Sequence, residues 1–126
     1  MKGATKLPAR RYTGMLDYER LDAYQCALRF AELSFQVLKQ MPPGHADLGD
    51  QLKRATMSIP LNIAEGAGKP ASKDRARYYA IARGSAMECG AIVDLLRIQA
   101  LATPTAVAEA KALLVRFVAM LSKMCR

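Results

Sequence analysis

The chain has no tryptophan and one histidine in 126 residues, and no Cys-x-x-Cys pair. Each gap closes a route. Two-carboxylate metal sites in helical bundles add Glu-x-x-His pairs, and His45 is not three residues from a glutamate. The three cysteines, Cys26, Cys89 and Cys125, are odd in number and widely separated, which suits reduced, buried thiols in a reducing compartment rather than a disulfide framework. No apolar run approaches the roughly 20 residues that cross a bilayer. The opening "MKGATKLPARRYTG" is basic but lacks the apolar middle of a secretory signal. A cytoplasmic location is expected.

What is present is helical material. Apolar residues make up 52%, which argues against disorder. Ala, Leu, Arg, Lys, Met and Gln dominate, while Val, Ile and Thr are scattered. The length fits one domain able to hide about two thirds of its unfolded surface, enough for a core without staples. Lys and Arg outnumber Asp and Glu by 19 to 11, a net charge of +8. Such an excess favours a polyanionic partner, nucleic acid or an anionic lipid surface, although it also keeps a protein in solution.

Residues 1–17 have no periodicity and carry Lys2, Lys6, Arg10 and Arg11, so a flexible basic arm is expected there, with the domain at 18–126. The first helix should span about 18–40 and stop at "MPPG", because paired prolines cannot continue it. The second spans about 46–66 and stops in "GAGKP". Ser72 is placed to cap a third helix running to about 101, and Thr103 to cap a fourth with Pro104 at its first position. Short connections make neighbours antiparallel. The expected fold is an all-α, up-down-up-down four-helix bundle.

The fourth helix has one apolar stripe, Val107, Ala110, Leu114, Phe117, Leu121 and Met124. The first has two. Leu21, Tyr24, Leu28, Ala31, Phe35 and Leu38 form one; Ala23, Cys26, Phe30, Leu33 and Val37 form another. The third repeats this, with Ala80, Gly84, Met87, Ala91 and Ile98 as its second seam, and Met57, Leu61 and Ala64 lie on the back of the second helix. Soluble monomers rarely expose patches of that size. A closed homo-oligomer is therefore expected, with Ala23, Cys26, Phe30, Leu33, Val37, Met57, Leu61, Gly84, Met87 and Ala91 at its interface. Phe30→Asp should then break assembly and leave the protomer helical. The other reading is a crowded core in which the first and third helices touch more neighbours than usual.

"SIPLNIAEGAGKP" (58–70) puts Pro60, Asn62 and Glu65 where a helical protein would prefer leucine. Pro60 frees the carbonyl of Thr56, for which Ser58 or water is a candidate partner. Ser58, Asn62 and Glu65 on the second helix, with Ser85 and Glu88 on the third, form a polar motif aimed at the contact between the two. Buried polar groups of this kind must bond one another or helix ends. They fix register on one reading and form a catalytic or metal site on the other; the missing Glu-x-x-His pairs favour architecture, with no metal and no cofactor. "GAGKP" lacks the spacer, the following Ser or Thr and the preceding strand of a phosphate loop.

"QLKRATMSIPLNIAEG" (51–66) and "YYAIARGSAMECG" (78–90) resemble the four-helix-bundle family named for reading frames inside bacterial 23S rRNA intervening sequences. The likeness rests on Gln51, Arg54, Ala55, Ser58, Ile59, Asn62, Ile63, Ala64, Glu65 and Gly66, then on Ile81, Ala82, Gly84, Ser85 and Glu88, and extends over about residues 18–124. It implies a protomer that assembles into a homopentameric barrel, and for the rRNA-linked branch it implies no particular biochemical activity. The family is similar to accessory proteins of diversity-generating retroelements, which implies a reverse transcriptase and its nucleic acid as partners. The chain departs from the pattern at Lys53, in the 41–50 loop, at Ala86 and Cys89, and in its basic arm.

The start of the third helix, "KPASKDRARYYAIAR", concentrates Lys69, Lys73, Arg75, Arg77 and Arg83 against Asp74, and Lys53 and Arg54 add to it from the second helix. Phosphate contacts position without reading sequence. The expected function is a non-enzymatic basic oligomer that binds RNA or DNA with little sequence selectivity, Tyr78 and Tyr79 being candidates for base stacking although helical spacing makes at least one of them a core residue. The alternative is a scaffold for another protein, its charge incidental.

Overall fold

Residues 16–126 are described by a computed structural model, and they form helices and no strand. The basic-arm reading lies outside the described residues except at Leu16 and Asp17. Asp17–Arg20 make one 3-10 turn, and α1 (Asp22–Gln40) begins only after an extended Leu21, four residues later than the periodicity predicts. The turn is tied down: Gln25 Nε2 donates to the Glu19 carbonyl at 3.1 Å, and the Tyr18 and Tyr24 rings meet edge-on at 4.7 Å.

α1 ends where Met41 becomes extended, as the residue before a proline must. α2 (Ala46–Ala67) runs through the buried Pro60 without interruption. α3 (Ser72–Ile98) opens after an extended Ala71, so Ser72 is itself helical and makes no capping bond, contrary to expectation. It also stops early. Ala100 takes a left-handed φ of 57°, and the Leu101 N–H turns back to the Leu96 carbonyl at 2.8 Å. That is the position glycine normally holds at a helix end. α4 (Pro104–Met124) begins as predicted, the Thr103 Oγ1 accepting from the Ala106 N–H at 3.1 Å.

The four helices pack in a ring, α1 against α2, α2 against α3, α3 against α4 and α4 back against α1. Phe30 and Phe117 meet edge-on at 5.7 Å in the centre, among Leu52, Ile59, Ile63, Leu96 and Leu121.

This arrangement corrects the reading of α1. Ala23, Cys26 and Phe30 are buried inside their own protomer at 2%, 0% and 0% exposure, and Leu33 and Val37 pack against the same core. α1 needs a wide apolar arc because α2 covers one side of it and α4 the other, so the crowded-core reading holds for this helix. The second seams of α2 and α3 differ. Met57, Leu61, Gly84, Met87 and Ala91 are all exposed, with Leu61 at 62%. Ile81, Leu95 and Val115, which the interface reading left out, are exposed too.

Candidate nucleic-acid interface

The turn from α2 to α3 is built around a missing side chain. A Cβ on Gly66 would lie 2.8 Å from Tyr79 Cε1 and 3.1 Å from Tyr78 Cβ, so the glycine lets α2 close onto the two tyrosines. The helix-stop reading of "GAGKP" needs refinement here. Gly68 closes α2, but in a right-handed conformation, and Gly66 serves close approach instead.

With Tyr79 buried, Tyr78 remains half-exposed beside the turn. Lys69 Nζ sits 5.2 Å from its ring centroid and Arg77 Cζ 4.9 Å from it. The π-face of the ring attracts both cations and holds them together. Tyr79 is therefore no platform for a base, and Tyr78 is already engaged. Arg75 closes the turn, donating through Nη1 to the carbonyls of Lys69 at 3.0 Å and Pro70 at 2.7 Å. Lys73 is exposed in the first turn of α3. Arg83 Nε donates to Ser122 Oγ at 2.8 Å, which in turn donates to the Val118 carbonyl at 2.8 Å, pinning the middle of α3 to the end of α4.

The structure thus gathers Lys69, Lys73, Arg75 and Arg77 around one turn and links Arg83 to α4. Lys53 and Arg54 are exposed on the first half of α2. Arg54 and Lys69 stand fifteen positions apart, roughly 22 Å at the helical rise. The sequence reading missed Lys123 and Arg126, exposed at the end of α4. The signal available was their place off the apolar stripe; the Arg83–Ser122 bond that ties the end of α4 to α3 has no sequence signature.

The polar motif divides in the same way. Asn62 Nδ2 donates to the Ser58 carbonyl at 2.8 Å and to Ser58 Oγ at 3.0 Å, while Ser85 Oγ donates to Ser58 Oγ at 2.8 Å across the α2–α3 contact. Glu65 and Glu88 take no part. Both are exposed, and Glu65 lies 4.0 Å from Lys69 one turn on, a weak surface pair. The two carboxylates were expected at the helix contact; they stand on its solvent side because each sits beyond the edge of the buried arc. Among the described residues no group of three or more His, Cys, Asp or Glu could hold a metal ion.

The thiols are held as neutral groups. Burial pushes Cys89 up to about 11, partly countered by its contact with the Thr56 hydroxyl at 3.8 Å. Burial also raises Cys26, against the pull of Arg116 and Arg29. No described helix is long and apolar enough to cross a membrane.

No curated protein matches the chain significantly. The family model described as 23S rRNA-intervening sequence protein matches residues 19–123.

Proposed function

We propose, from the premise that the chain belongs to the 23S rRNA-intervening sequence protein family, that it is a non-enzymatic, cytoplasmic, basic bundle that binds RNA or DNA through phosphate contacts and without sequence selectivity. The observation that carries this reading is the cation cluster at the α2–α3 turn, where Lys69, Lys73, Arg75 and Arg77 face only Glu65 and Asp74. Contacts to phosphate release condensed counterions, so affinity must fall steeply with salt. The test is fluorescence anisotropy with labelled, unrelated RNA and DNA sequences over a salt series. The expected result is similar affinity for all sequences and a linear fall of log K with log salt, about 0.7–0.9 per phosphate contact. Absence of binding at about 50 mM salt overturns the reading.

The same proposal includes an antiparallel up-down-up-down course for the helices and a closed homo-oligomer, a pentamer by the family resemblance. Short connections support the first. The exposed apolar side chains of α2 and α3 support the second: Met57, Leu61, Ile81 and Met87 make a surface that a lone soluble protomer rarely leaves uncovered. Repetition of one weak basic patch in each copy would raise avidity without new contacts. Light scattering should give a multiple of the protomer mass for the native chain. Leu61→Asp with Met87→Asp should return it to one protomer mass with unchanged helical circular dichroism. A native monomer would dispose of the oligomer.

The exposed apolar face also favours a second reading, a scaffold for another protein such as a reverse transcriptase, with the charge incidental. That reading gains if the native chain forms its oligomer but binds no nucleic acid.

A further inference from the structure

Charge is unevenly divided along the bundle. Residues 16–30, 57–86 and 115–126 are the helix halves that meet at the α2–α3 turn, and they carry ten Lys and Arg against five Asp and Glu. The opposite halves, residues 31–56 and 87–114, carry five against six. Contacts fix this partition. Gly66 near the end of α2 lies against Tyr78 and Tyr79 near the start of α3; Arg83 reaches Ser122 near the end of α4; the 3-10 turn before α1 rests on α2.

The distances make the imbalance matter. The 27 residues of α3 span roughly 40 Å at the helical rise, whereas screening at about 0.1 M salt takes hold within roughly 10 Å. A polyanion at one end therefore senses that end alone. Helix dipoles do not alter its sign: α1 and α3 begin there while α2 and α4 finish there, so their terminal charges oppose in pairs. Side chains decide, and Lys73 and Arg77 are exposed there.

We infer that nucleic acid docks end-on, at the pole where α2 passes into α3, and that the pole grips phosphates while the bases go unread. The inference rests on the nucleic-acid reading above and deepens it by locating the contact and excluding Lys53 and Arg54 from it. Tyr78 acts as a pedestal for Lys69 and Arg77. Arg75 and Arg83 shape the pole through their bonds to the Lys69 and Pro70 carbonyls and to Ser122.

Two variants of equal net charge test this. One is Lys69→Gln, Lys73→Gln and Arg77→Gln; the other is Lys39→Gln, Lys53→Gln and Arg54→Gln, at the far end. Each is titrated with a labelled RNA duplex of about 20 base pairs and with its single strand, over a salt series. The pole variant should weaken binding at least about tenfold and reduce the salt slope by about two to three. The far-end variant should stay within about twofold of the native chain. Circular dichroism of each variant guards against misfolding, and Lys73→Gln alone against Lys53→Gln alone, both exposed, carries the same comparison if a triple variant is not helical. Equal losses from the pole and far-end variants, or a helical pole variant that keeps the native salt slope, would overturn end-on docking while leaving binding itself intact. A native chain that binds neither probe at low salt fails the earlier reading instead.

Discussion

Phe30→Ala is expected to remove about 3–5 kcal/mol of stability, the range for deleting a fully buried phenylalanine. Phe30 is 0% exposed, and its ring meets Phe117, also 0% exposed, in the middle of the bundle. A domain of this size has only about 5–15 kcal/mol in all, so the change should move the urea midpoint by a large fraction of its value. Phe30→Asp goes further, because it adds an unpaired charge to the cavity. It should abolish cooperative unfolding rather than dissociate folded protomers. This replaces the expectation from the sequence, in which Phe30 stood at a contact between copies. A Phe30→Asp protein that remains fully helical and cooperative, but smaller in mass, would restore that reading and refute the packing described here.

Gly66 and Gly68 should respond to alanine with opposite signs. Neither has a positive φ, so each gains helix propensity of up to about 1 kcal/mol on substitution. At Gly68 the new Cβ has only backbone oxygens at 3.6 and 3.8 Å, ordinary contact distances, and the gain should survive. At Gly66 it would meet Tyr79 Cε1 at 2.8 Å, Tyr79 Cδ1 at 3.0 Å and Tyr78 Cβ at 3.1 Å. The Tyr79 ring is enclosed and the Tyr78 Cβ is fixed to the backbone, so neither gives way cheaply. Overpacking of about 1–3 kcal/mol should outweigh the propensity gain. Gly66→Val should cost more than Gly66→Ala. Urea unfolding of the three variants checks the order, and a stabilised Gly66→Ala would mean the two helices stand farther apart than they do here.

The contrast between these elements says what a sequence can reveal. α4 was legible because one stripe and one cap define it: Thr103 accepts the bond its position predicts, and Val107 through Leu121 face inward. The end of α3 was hidden because its left-handed position is filled by Ala100, which carries no stop signal. For α1, a helical wheel gives the width of an apolar arc but not the number of neighbours around it. The wheel could not distinguish a seam between copies from a seam between α2 and α4. On α2 and α3 the same reasoning found side chains that are exposed, since these helices have an open outer face. In the candidate interface, the cluster of cations between Lys69 and Arg77 was visible as local charge density. Its restriction to one end was not, since that depends on which helix halves share a level. The sequence suggested Asn62 with Glu65 and Ser85 with Glu88; instead Asn62 and Ser85 both bond Ser58, while Glu65 and Glu88, one step farther round each helix, fall on the solvent side.

The closing of α4 against α1 has a consequence for how the molecule is made. Cys26 Sγ donates to the Leu113 carbonyl at 3.8 Å, and Phe30 meets Phe117. The earliest of the four helices to be synthesised thus shares its inner face between α2, which follows it directly, and α4, the last of the four. Until α4 is made, the side of Phe30 that meets Phe117 stays uncovered, and the growing bundle carries that sticky surface meanwhile. The core of this bundle is in that sense closed by α4 rather than completed helix by helix.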